Sequence, residues 1–436
     1  MPTSRSIQRT YLLLLAGNTL ATSLIWGINT IFLLDAGLSN LEAFAANAFF
    51  TGGMVIFEVP TGIVADTIGR RTSYLLGTLT LSGSSVLYVM LWQIEGPFWA
   101  WAVVSLLLGL GFTFFSGAVE AWLVDALTAT GYTGRLETVF GRGQIVTGAG
   151  MLGGSVAGGF IAQQVSLGAP FVLRAAILVV MFVAAFRLMH DVGFTPEKGG
   201  RPLAEMRKIA SNSIDYGWRV PPVKWLMVEA LFTGGVGIYA FYALQPYLLE
   251  LYGDPTAYEI AGLAAAIVAG AQMLGGWAAP WIRGLFHRRT SALILMAGLS
   301  TLSLVLIGAI ENFWAVIGLT TVWALMFAAT MPIRQTYING MIPSRQRATI
   351  LSFDSMMSSS GGVWTQPILG RVADVWGYAP SYLVSAGISA FALPFLALSR
   401  KQNAPADTVE LTEAPTPAAP QLETDATSEK RPFTRA

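Results

Sequence analysis

Apolar runs long enough to cross a bilayer recur along the chain, each broken by a short polar connection. A helix needs roughly 20 apolar residues to span the hydrocarbon core. Runs of that order predict spans near 11–34, 42–65, 73–94, 99–123, 140–163, 170–187, 225–249, 260–282, 291–310, 313–333, 352–373 and 381–398. The first run follows Arg5 and Arg9, is too long for a signal-peptide core, and reads as a retained span. The connections are brief except for 188–224, a polar segment holding Lys198, Arg201, Arg207, Lys208 and Arg219. The pattern predicts an all-α integral membrane protein of 12 transmembrane helices in two pseudo-symmetric six-helix bundles. An N-terminal half at 1–187, a cytoplasmic linker at 188–224 and a C-terminal half at 225–398 follow. The remainder, 399–436, is rich in Ala, Pro, Thr and Glu and is expected to be a disordered cytoplasmic tail.

Lys and Arg orient the spans. Arg70 and Arg71, Arg135, the 188–224 linker, Arg283 with Arg288 and Arg289, and Arg345 with Arg347 occupy alternate connections. The opposite set, around 35–41, 95–98, 164–169, 251–259 and 311–312, contains no Lys or Arg. Arg174 and Arg371 are the exceptions and sit inside helix ends. Such asymmetry predicts both termini in the cytoplasm, with the inner membrane of a bacterium as the natural location.

Composition agrees. The chain is 54% hydrophobic and 12% charged, where soluble domains carry roughly 25% charged residues. A net charge of +1 argues against nucleic acid as a partner. The absence of cysteine excludes disulfides, thiol catalysis and thiolate metal sites. His190 and His287 both fall in hydrophilic connections, which leaves no plausible histidine metal cluster. There is no Walker loop, nucleophile elbow or HExxH pattern, so neither enzyme activity nor a cofactor is expected.

The sharpest local pattern lies between the second and third runs, in Glu58-Val-Pro-Thr-Gly62-Ile-Val-Ala-Asp66-Thr-Ile-Gly69-Arg70-Arg71. Gly62 is expected to let two helices approach, Asp66 to sit at a membrane boundary, and Gly69 to permit the sharp reversal. Gly-x-x-x-Asp-x-x-Gly-Arg-Arg at this place resembles the loop signature of the major facilitator superfamily. Residues 276–289 (GWAAPWIRGLFHRR) stand where a second half would repeat it, with Pro280 in place of the aspartate. Parallel six-helix halves are what that resemblance implies.

In the fifth run, Gly150, Gly154 and Gly158 recur every four residues on one helix face, followed by Gly159. Gly262, Ala266 and Gly270 make a matching stripe in the eighth, so spans five and eight are expected to cross tightly. Gly150-x-x-x-Gly154-Ser155-x-x-Gly158-Gly159 also resembles the helix-five motif of drug:proton antiporters, GxxxGPxxGG, with Ser155 in place of the proline. The arginine expected before Gly109 in span four is Ser105 here. Gly370-Arg-Val-Ala-Asp374-Val-Trp-Gly377 imitates the loop signature at the opposite end, where Asp374 would cap a helix end or pair with Arg371.

Ionisable side chains inside spans are expensive, so they are functional candidates. Glu58 lies eight residues before Asp66, about 12 Å deeper at 1.5 Å per residue. It is the first candidate for a coupling proton, with Glu120 second and Glu229 also in the set. The expected latch at the cytoplasmic ends comprises Gly62, Asp66, Gly69, Arg70, Arg71, Asp125 and Asp354. Asp354 falls in the first turn of the predicted eleventh span. With no Lys or Arg expected at a span's midplane, the cargo is expected to be neutral or cationic. Polar and aromatic residues placed to line its path are Asn18, Trp26, Asn29, Tyr239, Tyr242, Gln245, Trp323, Trp364 and Gln366. Most aromatic residues in spans simply pack or face lipid. The expectation is a monomeric, proton-coupled exporter of small amphipathic compounds. The alternative is an uptake symporter or facilitator for a neutral nutrient.

Overall fold

The computed structural model describes residues 3–115, 117–196, 211, 218–342 and 347–408. Lys198, Arg201, Arg207, Lys208, Arg345 and the tail beyond Thr408 lie outside the described residues, and so do the expectations made for them. The first half runs through α1 (Ser4–Trp26), α2 (Asn29–Asp35), α3 (Asn40–Thr67), α4 (Arg70–Gln93), α5 (Phe98–Thr113), α6 (Ala118–Ala129), α7 (Leu136–Gln164) and α8 (Ala169–Leu188). The second comprises α9 (Pro221–Tyr252), α10 (Tyr258–Gly284), α11 (Arg289–Ala309), α12 (Phe313–Asn339), α13 (Arg347–Trp376), α14 (Tyr378–Ala390) and α15 (Ala392–Lys401).

Ten helical stretches among the described residues are long and apolar enough to cross a membrane, or eleven when the bent α1–α2 pair counts as one span. The expected count of 12 is thus not reached by length and apolarity alone. The helix at the eleventh run, α13, is 30 residues long but carries Asp354, Ser355, Ser358, Ser359 and Ser360 close together. Large apolar side chains such as Leu79, Phe160, Val172 and Leu274 stay exposed on the helix surfaces, as a lipid-facing belt requires and a water-facing one would not tolerate.

The first predicted span breaks, with α1 and α2 meeting at 48°. Gly27 stands at this break and lets α10 approach, because a Cβ there would come within 2.9 Å of Ala265 and 3.1 Å of the Ala261 carbonyl. The fourth breaks too, around Gly117 at φ +68°. Backbone groups freed by a break inside a membrane must find protein partners. Gln245 supplies them from the other half: its Nε2 donates to the Trp26 carbonyl at 2.8 Å, and its Oε1 accepts from Thr30 N at 2.9 Å.

The halves meet along α3 against α13 and α7 against α10. At the end lacking Lys and Arg loops the contact is tight. Asp374 accepts from the Asn40 and Leu41 amides at 2.8 and 2.9 Å, and the Tyr378 hydroxyl donates to Asn40 Oδ1 at 2.6 Å. The motif-like Gly370 allows it, since a Cβ there would stand 2.7 Å from the Asn40 carbonyl. Asp374 therefore caps a helix end, that of α3 in the other half.

The expected crossing of spans five and eight exists, but through different glycines. Gly159 meets Gly262, with its Cβ position 2.8 Å from that Cα. The stripe Gly150, Gly154 and Gly158 instead faces α1, where Cβ atoms would approach Thr19, Ser23 Oγ and the Leu24 carbonyl. Ser23 Oγ donates to the Gly150 carbonyl at 3.0 Å along this seam.

The start of the expected disordered tail is ordered. Asp407 is buried and accepts from Thr290 N and Thr290 Oγ1, both at 2.8 Å, capping α11. Arg288 donates to Asn403 Oδ1 at 2.9 Å.

Gly158→Val should be strongly destabilising, because its Cβ position is 1.9 Å from the Leu24 carbonyl oxygen; overpacking at fixed backbones costs about 1–3 kcal/mol. Gly153→Ala, on the same helix with nothing within 4 Å of its Cβ position, should be neutral or stabilising by up to about 1 kcal/mol. Thermal melting of the purified variants in one detergent checks the pair, and equal melting temperatures would contradict the α1–α7 seam.

Candidate functional site

The loop signature organises one end of the first half. Asp66 pairs with Arg70 four residues on, and Arg70 Nε stands 3.9 Å from Asp125 Oδ2. Gly69, at φ +128°, begins α4, and the Asp191 carboxylate fills the space beside it, accepting from the Arg71 amide at 2.9 Å. The Arg71 guanidinium donates to the Phe186 carbonyl and lies 4.8 Å from the Phe186 ring centroid. Asp191 was missed by the sequence reading. Its signal is position, a lone aspartate just past span six where a helix start needs an acceptor.

Two expectations fail here. Gly62 brings no helix close, for nothing lies within 4 Å of its Cβ position. Asp354 does not join this latch: it is the eighth residue of α13, rather than in the first turn, and pairs inside the second half. The ion pairs of Asp66 and Asp125 run to Arg70, and those of Asp354 and Glu229 to Arg334. Each set thus ties together the helices of its own half.

Of the three coupling candidates, Glu229 is buried, Glu58 is half-buried and Glu120 is exposed in the first turn of α6. Glu229 is 5% exposed in α9 and sits in a built network. Thr233 Oγ1 donates to its Oε1 at 2.8 Å, and Arg334 Nε to its Oε2 at 3.4 Å. The Arg334 fork also grips Asp354, with Nη1 on Oδ2 and Nη2 on Oδ1, the latter at 2.7 Å. Arg334 Nη2 donates to the Leu226 carbonyl at 2.8 Å. Three helices, α9, α12 and α13, thereby converge on one guanidinium whose planar fork suits bidentate carboxylate binding. The triad borders a cavity of about 240 Å³ that Trp323, Phe327, Thr330, Met331 and Ser358 also line.

The expected lining residues divide. Trp323 reaches that cavity, stacked 5.6 Å from Phe327. Trp26, Asn29 and Tyr242 line a second pocket on the contact between the halves. Asn29 Nδ2 donates to Asn47 Oδ1 at 3.1 Å, and Trp26 stacks on Phe241 at 4.2 Å. Three others are structural ties rather than lining: Gln245 across the α1–α2 break, Tyr239 donating to Ser381 Oγ at 2.6 Å, and Gln366 donating to Thr51 Oγ1 at 3.3 Å. Trp364 lies outside both cavities, edge-on to Phe232. Asn18 is half-buried in α1, with a buried Oδ1 that has no hydrogen-bond partner.

The premise that no fixed cation serves the interior does not hold. Arg174 is the sixth residue of α8, near the helix end as expected, yet it is only 3% exposed and lines the second pocket. Its charge could be counted in the sequence; its inward direction is set by packing.

Comparison with known proteins follows the same lines. The family model described as Major Facilitator Superfamily matches residues 11–362 and 281–429. A Salmonella dublin protein named multidrug resistance protein MdtG is 24% identical over 336 residues, 76% of this chain and 78% of that one. The protein of that name from Klebsiella pneumoniae (strain 342) is 26% identical over 354 residues, 79% of this chain and 80% of its own. The crystal structure of the nucleoside transporter NupG superposes with a TM-score of 0.71 at 13% identity, covering 91% of this chain and 99% of that one. PepTSo, a transporter of the POT family, does so with a TM-score of 0.71 at 13% identity, over 92% and 99%. At such identity these two speak to the fold.

Replacing Arg334 with Met should cost about 3–5 kcal/mol, because two buried carboxylates lose their shared cation. Asp66→Asn removes a partly exposed pair across the α3–α4 turn and should cost under about 1 kcal/mol. Melting temperatures and membrane yields of the two variants test this, and a milder loss for Arg334→Met would mean the triad is not the buried tie described.

Proposed function

Because the chain belongs to the major facilitator superfamily and is a multi-pass secondary transporter of small molecules, we propose that it exports amphipathic compounds in exchange for protons. The observation that carries this reading is the buried triad of Glu229, Arg334 and Asp354 on a cavity. Two carboxylates share one guanidinium, so the fully ionised group holds a surplus negative charge inside the membrane. Either a proton or a cationic cargo group neutralises it, and the two compete. Glu229 is the titrating member: its bond to Arg334 is long at 3.4 Å, whereas Asp354 takes both prongs of the fork. Protonating Glu229 leaves α9 tied to Arg334 through the Leu226 carbonyl alone, while α13 keeps both prongs of the fork. That is how occupancy of one carboxylate biases the packing of helices within the second half.

The cavity adds Trp323, Phe327 and Met331 as apolar surface for neutral or cationic molecules. The relatives named multidrug resistance proteins support export of such cargo. We place the Arg-rich connections, and with them both termini, on the cytoplasmic side of a bacterial inner membrane, and the working unit is a monomer. On this assignment the Asp374, Tyr378 and Gln245 contacts close the outer side.

Glu229→Gln should abolish uphill transport driven by a pH gradient in proteoliposomes, by about 100-fold or more, while leaving downhill exchange of a cationic dye measurable. Gln keeps the hydrogen bonds and cannot titrate. Full gradient-driven flux in this variant would remove Glu229 from coupling. Accumulation toward the side of proton exit would instead support the uptake alternative.

A further inference from the structure

The second pocket has a chemistry that the triad does not use. Arg174 reaches from α8 into a space of about 60 Å³ shared with Trp26, Asn47, Tyr88 and Tyr242. It is 97% buried, as its 3% exposure implies. Its Nε and Nη2 atoms have no hydrogen-bond partner, and neither does the Asn47 Nδ2 donor nearby. A guanidinium cannot shed its proton at physiological pH and offers donors only. A buried charge without a counter-charge is strongly unfavourable, and inside a membrane span it marks a functional position.

The surroundings say what would complete it. The unpaired groups are donors, so the missing partner is an acceptor, and a negatively charged one. Phe50, Leu108 and Phe112 form apolar walls beside the charge. The volume is that of about two waters in the liquid, enough for a head group and too small for a whole drug-sized molecule. The pocket takes residues from both halves, Trp26 and Asn29 from one and Tyr242 from the other. A ligand held there touches the surface that must part during alternating access.

We propose that Arg174, with Asn47 Nδ2, forms an anion subsite that receives the carboxylate of an amphipathic acid or zwitterion. The rest of the molecule lies along the aromatic contact between the halves. This extends the cargo class beyond neutral and cationic compounds and rests on the reading that the chain carries small amphipaths. Bidentate guanidinium binding gives the carboxylate orientation as well as charge. The phenol of Tyr242 and the amide of Asn29 stand in the same pocket to select among head groups.

Binding, rather than transport, tests this, so its outcome is independent of proton coupling. The full chain in neutral-lipid nanodiscs, in chloride-free buffer with sulfate as bulk anion, is titrated with benzoate, with the isosteric benzamide, and with chloride. Thermal stabilisation is the readout. Benzoate should stabilise saturably with a midpoint at least tenfold below that of benzamide, and chloride should neither reproduce nor block the effect. Arg174→Met should abolish the benzoate response and, without ligand, melt no lower than wild type, since it removes an unpaired charge. Should that variant fail to fold, Arg174→Lys carries the test, with a benzoate midpoint raised at least fivefold. The proposal falls if benzamide matches benzoate, if the variants bind benzoate as wild type does, or if chloride saturates the site and excludes benzoate, which would make it a free-anion site only.

Discussion

Inside a bilayer there is no water to complete a polar group, so each one must find its partner within the protein or bring one in. At the helix starts, where the chain enters the hydrocarbon core, protein groups supply the partners as well. Asp191 meets the amide that opens α4, Asp407 the amide that opens α11, and Asp374 the two that open α3. In each case an acidic side chain from a distant segment faces the positive end of a helix. The first two are counterparts in the two halves: each follows the last helix of its bundle and returns to cap the helix after the Arg-rich turn. The second half keeps this device although its loop signature has lost the aspartate to Pro280.

The same rule makes the closure between halves reversible. Asp374 and Tyr378 hold Asn40 at a solvent-facing end, where water can replace them when the halves part. Gln245 is different, because it satisfies the Trp26 carbonyl and the Thr30 amide at a buried break. Parting there needs water or cargo to take over two backbone groups. Each hydrogen bond is worth about 0.5–1.5 kcal/mol net, so the whole set sums to the few kcal/mol that separate interconverting states. A single covalent-like lock would be too strong for a transporter, and a purely apolar seam would carry no signal from the cavity.

Most of the fold was legible in the sequence because a membrane span is a one-dimensional property of length and apolarity. The helical breaks at Gly27 and Gly117 were not: the first sits against Ala261 and Ala265, which the chain meets only after folding, and the second rests on a positive φ that length and apolarity do not reveal. The glycine stripe of α7 was visible, yet its partner was misassigned to α10: a smooth face permits close approach without naming what approaches. Gly159, one residue off the stripe, makes the contact that was expected of it. In the site, charges were easy to count and their pairing was not. Glu58 looked deepest by residue number, but neighbouring helices bury Glu229 and leave Glu58 half-buried. The tail misled for a related reason. Its composition is that of a disordered segment, while Asp407 and the Arg288 and Arg289 contacts tie its beginning to the start of α11.

Two unbalanced charges of opposite sign therefore lie inside one protein. With both carboxylates ionised, Glu229, Arg334 and Asp354 carry a negative surplus two turns in from the Arg-rich end, and Arg174 a positive one about 8 Å in from the other. They are on different halves and cannot neutralise each other by direct contact. On the reading proposed above, a proton or cation meets the first and an acid group the second. A site already neutral would have nothing to gain from binding and could not drive a change of state, because a ligand shifts an equilibrium only by its differential affinity for the two states. The cost of leaving such charges unpaired is what makes an empty site receptive to a ligand that relieves it.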